Sequence, residues 1–126
     1  MRKGILVSGV AVAMLMATAA AATDFQHELK FAAGASGATV EGAVVRGDSD
    51  VWSFSANAGQ HAEIAVKSTE DNAAFAVFVP PATTDGDPTA ADVKSWQGAL
   101  PATGTYYVQV SGDRGNATYT LTVSIK

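Results

Sequence analysis

The chain has 126 residues, no cysteine, and 12 acidic residues against 8 basic ones, for a net charge of −4. That length supports one domain. The acidic balance excludes binding of nucleic acid or an anionic membrane through the protein's general field and steers the chain towards cationic partners.

Arg2 and Lys3 open the sequence, Gly4 to Ala19 is almost wholly apolar, and Ala20-Ala21-Ala22 fits a small-x-small cleavage site. The pattern predicts a cleaved secretory signal peptide over residues 1–22 and a single domain over residues 23–126. An uncleaved membrane anchor is the alternative; an alanine-rich run barely long enough to span suits it less. No cysteine follows the run, so a lipoprotein anchor is excluded. Cleavage leaves 6 basic residues against 12 acidic ones, a net charge of −6. An exported domain of this size without disulfides must be held by its core alone, which favours an extensive β core.

Gln26 to Ala32 predicts a first strand at a sheet edge, followed by a turn over Gly34 to Gly37. Thr39 to Arg46 is the second strand, with Val40, Gly42 and Val44 on one face. Val51 to Ala56 and Gln60 to Lys67 read as a half-buried antiparallel hairpin around Asn57 to Gly59. Trp52, Phe54 and Ala56 share the inner face of its first strand. Ala62, Ile64 and Val66 line the second strand, with His61, Glu63 and Lys67 outside. Trp52 and Phe54 are expected at the centre of the core, each contributing roughly 2–3 kcal/mol on burial.

The continuous apolar run Ala74 to Val79 suits a strand buried on both sides or one near a sheet edge under a loop, and Pro80 and Pro81 stop it. Ala82 to Asp92 is expected to be irregular. Lys94 to Leu100 predicts a short strand around Trp96. Thr105 to Ser111 turns Tyr106, Val108 and Val110 inward, and Thr118 to Lys126 turns Tyr119, Leu121, Val123 and Ile125 inward. No stretch of residues 23–126 keeps helical spacing over several turns. About eight short strands at regular spacing predict an all-β fold, an antiparallel sandwich or barrel.

Few constellations suit catalysis. His27 and His61 are placed outward, no serine lies in a Gly-x-Ser-x-Gly elbow, and a cysteine nucleophile is absent. Asp48 with Asp50, and Asp85 with Asp87 and Asp92, raise a calcium site; neither group has the twelve-residue loop spacing, and turn aspartates commonly cap their own backbone. No metal or cofactor is therefore expected. Paired carboxylates for glycoside hydrolysis need a cleft that a small sandwich has little room to form. Tyr107 is an outward aromatic that could stack on a sugar or a protein partner, or serve only as a cross-strand packing residue.

The loop Gly112-Asp113-Arg114-Gly115-Asn116 joins the two strongest strands and turns on two glycines. Arg114 at its tip is one of two arginines in residues 23–126. An arginine on a rigid tip can enter a cleft and pair a carboxylate bidentately; the bland alternative is a solvated arginine that aids solubility. Asp113, Arg114, Asn116 and Tyr107 are the expected partner-binding residues.

Two separated segments carry a resemblance. The run from Gly42 to Phe54, followed by Ala58-Gly59-Gln60, resembles the opening of bacterial pre-peptidase C-terminal domains. The run from Leu100 to Val110, followed by Tyr119-Thr120-Leu121, resembles their close. A free-standing version behind a signal peptide resembles the periplasmic inhibitors of g-type lysozyme. Phe31, Gly34 and Ser36 match that family's Phe-x-x-Gly-x-Ser start. Asp48, Asp50, Trp52 and Phe54 match its turn and strand, and Leu100 to Gly104 with Tyr106 match its Leu-Pro-Ala-Ser/Thr-Gly-x-Tyr turn. The family's loop between the last two strands is longer and richer in arginine; this chain keeps Arg114 alone there.

The resemblance implies a jelly-roll-like β-sandwich, no enzymatic activity, a periplasmic or secreted address, and a g-type lysozyme as partner. Lysozyme inhibition by steric block is one expectation. A generic envelope module that binds polysaccharide or protein through the Tyr107 face is the other.

Overall fold

A computed structural model describes residues 23–126; the expected signal peptide at 1–22 lies outside the described residues. Nine strands form two stacked sheets, with no helix among the described residues. The strands are β1 (Asp24–Glu28), β2 (Gly37–Val44), β3 (Ser49–Ala56), β4 (His61–Ser68), β5 (Ala73–Phe78), β6 (Ala90–Val93), β7 (Ser95–Ala99), β8 (Gly104–Gly112) and β9 (Ala117–Ile125). One sheet runs β1-β3-β8-β5-β6 and the other β2-β9-β4-β7. The architecture is the expected β-sandwich.

Period-two burial builds it. Tyr119, Leu121, Val123 and Ile125 of β9 face in, as do Tyr106, Val108 and Val110 of β8 and Ala62, Ile64 and Val66 of β4. On β5, Phe75 and Val77 enter the core while Ala74 and Phe78 are buried on the other face, as its unbroken apolar run requires.

Four local expectations are corrected. Nine strands form because Ala90–Val93, which begins inside the stretch expected to be irregular and ends just past it, pairs with β5 through a bulge. Asp92 sits there at φ 59°, and the chain changes sheet at Lys94, so the segment carries no clean alternation to read. Second, β1 pairs parallel to β3, one parallel edge in an otherwise antiparallel fold. The chain leaves β1 for the second sheet at β2 and returns at β3, and two reversals restore its direction.

Third, the expected hairpin does not exist. β3 and β4 lie in opposite sheets, and so do β8 and β9. Every connection except β5–β6 crosses the core. Alternation tells which side of a strand is apolar, and two apolar sides can meet across a core as well as within one sheet.

Fourth, Phe54 lies in the core as expected, but Trp52 does not. Tyr106, Phe75, Leu100 and Leu121 are the core's largest fully buried side chains, and Phe54 stacks on Tyr106 at 5.5 Å. Trp52 is only half-buried, near the β1 edge. Its Nε1 donates to the Tyr119 hydroxyl at 2.9 Å, and that hydroxyl in turn donates to Asp50. The Tyr119 ring covers Gly42 on β2, where an added Cβ would come within 2.6 Å of Cζ; this close approach requires a glycine.

Candidate functional site

The crossovers gather the β2–β3, β4–β5 and β8–β9 loops, with the bend at Lys94, at one end of the sandwich. Asn72 ties this end together. It is buried, its carbonyl accepts from Asp113 N at 2.7 Å, and its Nδ2 donates to the Asn116 carbonyl at 2.9 Å. Ser68 Oγ holds Asn72 in turn by accepting its backbone N–H at 2.8 Å. Lys94 Nζ donates to the carbonyls of Asp71 and Ala73 and to Asp113 Oδ2, at 3.1, 3.0 and 3.3 Å. Asn116 Oδ1 accepts from Arg46 N at 2.7 Å, joining the β2–β3 loop to the β8–β9 loop.

Arg114 is exposed, and its Nη2 donates to the Glu70 carbonyl at 3.0 Å. The guanidinium is thus oriented on the rim with other donors free of that bond. Asp113, Arg114 and Asn116 come together as the sequence suggests, although on a corner between sheets. Tyr107 does not join them. It is half-buried on β8 beside Ser53 and Phe78, and five residues of strand, about 17 Å at ~3.4 Å per residue, separate it from Gly112.

His27 is exposed, as expected, and it also packs on its neighbours. Its ring stacks on Trp52 at 4.4 Å, and Nε2 lies 3.2 Å from Asp50 Oδ1, so it packs along the β1 edge. Every residue of β1 is exposed. Among the described residues neither histidine ring is hydrogen-bonded to a serine or threonine hydroxyl. No three His, Cys, Asp or Glu side chains among them gather as metal ligands. Asp50 is occupied by Tyr119 and His27, and Asp48 Oδ1 accepts from Thr23 N at 3.1 Å.

Burial pushes the Tyr119 hydroxyl well above its ordinary pKa of 10.0, and its hydrogen bond to Asp50 adds to this; donation by Trp52 acts the other way. The folded state therefore holds the neutral phenol. Its stabilisation is complete below the unfolded value and is lost as pH rises towards the folded one. Melting temperatures measured between about pH 8 and 11 fall more steeply for the wild type than for Tyr119→Phe at the alkaline end. Parallel curves would contradict the coupling.

At the opposite end, a hollow of about 770 Å³ is lined by Phe31, Gly34, Ser36, Asn57, Gln60 and Thr103 among others. None of its lining side chains titrates. It lacks the positioned acid or base that proton-transfer catalysis requires.

Sequence reading missed Arg46, Asn72 and Lys94. One signal was present for Arg46: it precedes a glycine, as Arg114 does. Asn72 and Lys94 act through backbone groups of distant loops, which leave no local pattern.

No protein-family model matches the sequence, and no curated protein does. Solved structures do. The periplasmic inhibitor of g-type lysozyme from Aeromonas hydrophila, PliG, is similar at TM-score 0.76 and 31% sequence identity, over 84% of this chain and 100% of that one. PliG of Salmonella Typhimurium is similar at TM-score 0.65 and 22% identity, over 81% and 98%. The pre-peptidase C-terminal domain of a Bacillus anthracis collagenase is similar at TM-score 0.54 and 21% identity, over 82% and 94%. The last two bear on the fold alone.

Proposed function

We propose the function from one premise: this chain belongs to the family of periplasmic inhibitors of g-type lysozyme. It is an exported, non-catalytic binding protein that occludes the substrate cleft of a g-type lysozyme. The supporting observation is 31% identity spread over the whole length of the Aeromonas hydrophila inhibitor. Residues 1–22 act as the export signal, and residues 23–126 work in the periplasm or outside the cell.

The acidic body steers the domain to a cationic enzyme. The β8–β9 loop then enters the cleft, and Arg114 pairs with a carboxylate there, a geometry that suits the planar guanidinium fork. Anchoring by Asn72 and Lys94 limits the entropy lost by the loop on docking.

The test is a peptidoglycan-clearing assay with a g-type lysozyme and purified residues 23–126. The expected result is inhibition, weakened about tenfold or more by Arg114→Ala through a faster off-rate. No inhibition at micromolar excess overturns the function. Undiminished inhibition by Arg114→Ala removes the role of the loop.

A further inference from the structure

The end of the sandwich away from Arg114 carries a differently built surface. Its hollow of about 770 Å³ lies between the β1–β2 loop, the β3–β4 turn and the turn that feeds β8. The polar side chains of its lining are Ser36, Ser55, Asn57, Gln60 and Thr103, and none of them ionises. Small-ligand pockets of this size, roughly 300–1,000 Å³, are mostly apolar with a few polar groups. Here neutral amides and hydroxyls share the lining with an aromatic ring. The matching ligand is uncharged and dense in hydrogen-bonding groups.

Two of the polar groups are held by the backbone. Gln60 Oε1 accepts from Asn57 N at 2.7 Å, and Thr103 Oγ1 accepts from Ala58 N at 2.9 Å. Those bonds fix both side chains and leave Gln60 Nε2 and the Thr103 hydroxyl to donate outward. The Asn57 amide and the Ser36 and Ser55 hydroxyls make no hydrogen bond to another described residue. Phe31 is half-buried, packs against the core and lines the hollow. It also lines a second cleft of about 600 Å³, beside Glu28, Lys30, Ser53, Ser55 and Thr105. Phe31 and Ser55 belong to both linings, so the two hollows join into one groove around Phe31.

We propose that this groove binds a neutral glycan strand of acetamido sugars, with a sugar ring stacked on Phe31 and the hydroxyl and acetamido groups bonded by Asn57, Gln60, Ser36, Ser55 and Thr103. A sugar offers an apolar ring face to an aromatic side chain and hydroxyls that both donate and accept around its edge. An acetamido group presents one C=O and one N–H, which the free donors and acceptor of the Asn57 amide complement. A groove, unlike a closed pocket, accepts successive units of a chain. The eight steps of β8 from Gly104 to Gly112, at ~3.4 Å each, set the groove about 27 Å from the Arg114 corner. A bound glycan therefore leaves that corner open, and the glycan site does not rest on the inhibitor reading.

The test is a nuclear magnetic resonance titration of the mature protein with the β-1,4-linked tetramer of N-acetylglucosamine, and with cellotetraose as the sugar lacking acetamido groups. Amide shifts are expected at Gly34, Ser36, Asn57, Gln60 and Thr103, with Asp113 to Asn116 unmoved. Asn57→Ala should weaken binding about fivefold or more with unchanged melting, because that side chain holds no other part of the chain. Phe31→Leu keeps the apolar packing, removes the ring and should weaken it by a similar factor. Arg114→Ala should bind the tetramer as the wild type does. No shifts at millimolar tetramer, shifts confined to another surface, or wild-type affinity in Asn57→Ala and Phe31→Leu overturns the site. Equal affinity for cellotetraose overturns the selection of acetamido sugars. Retention of the protein on insoluble peptidoglycan or on chitin identifies which glycan supplies the strand; retention on neither overturns the proposal. No lysozyme enters these measurements, so either result leaves the inhibitor reading to its own assay.

Discussion

Tyr106→Ala is expected to lower the stability of the domain by roughly 3–5 kcal/mol, the cost of truncating a large core side chain. Tyr106 is fully buried, lies opposite Phe54 in the β3–β8 register and stacks on it. Its hydroxyl donates to the Ala102 carbonyl at 2.6 Å and accepts from Ala102 N at 3.2 Å. One side chain therefore fills the space between the sheets and pins the turn that feeds β8. Tyr106→Phe keeps the ring and leaves the two Ala102 groups without their partner, at about 1–2 kcal/mol. Urea unfolding of both variants measures the split. A loss below about 1 kcal/mol for Tyr106→Ala would place the core elsewhere.

Gly112→Ala is expected to damage both fold and binding. A methyl at Gly112 would overlap the Gly115 carbonyl oxygen, a backbone atom that cannot rotate aside. The β8–β9 loop has to open, at roughly 1–3 kcal/mol as for other overpacked sites. Opening pulls Asp113 from Asn72, Arg114 from Glu70 and Asn116 from Arg46. Inhibition should therefore fall about tenfold or more at temperatures where the variant is still folded. Gly115→Ala is the comparison. It meets open space, so its cost is the backbone strain of φ +96° alone, about 1–2 kcal/mol. A Gly112→Ala variant with wild-type melting and wild-type inhibition would show that the loop is not held closed.

The class of fold was legible in residues 23–126, and so was the inward side of almost every strand. On β9, Thr118, Thr120, Thr122 and Ser124 alternate with four buried apolar residues, and a side chain's side of the pleat is set by its own place in the chain. Turn positions were legible for a similar reason: Gly47, Gly59 and Gly115 adopt positive φ, a local backbone property that glycine supplies. The Arg114 tip was found on the same grounds.

Pairing was not legible. A strand's hydrogen-bond partner depends on which edges the rest of the chain has left open, and the short loops after β3 and β8 fit a hairpin and a sheet crossover equally well in sequence. β3 therefore went to β8 and β1, and β9 to β2 and β4. Those crossings carried Arg46 to within one hydrogen bond of Asn116, 70 positions away, and put Lys94 and Asn72 under Asp113. Burial pattern and turn chemistry are properties of a few consecutive residues and can be read along the chain. The corner around Arg114 is a property of loops that meet only after the sheets have chosen their edges, so it emerges with the folded arrangement.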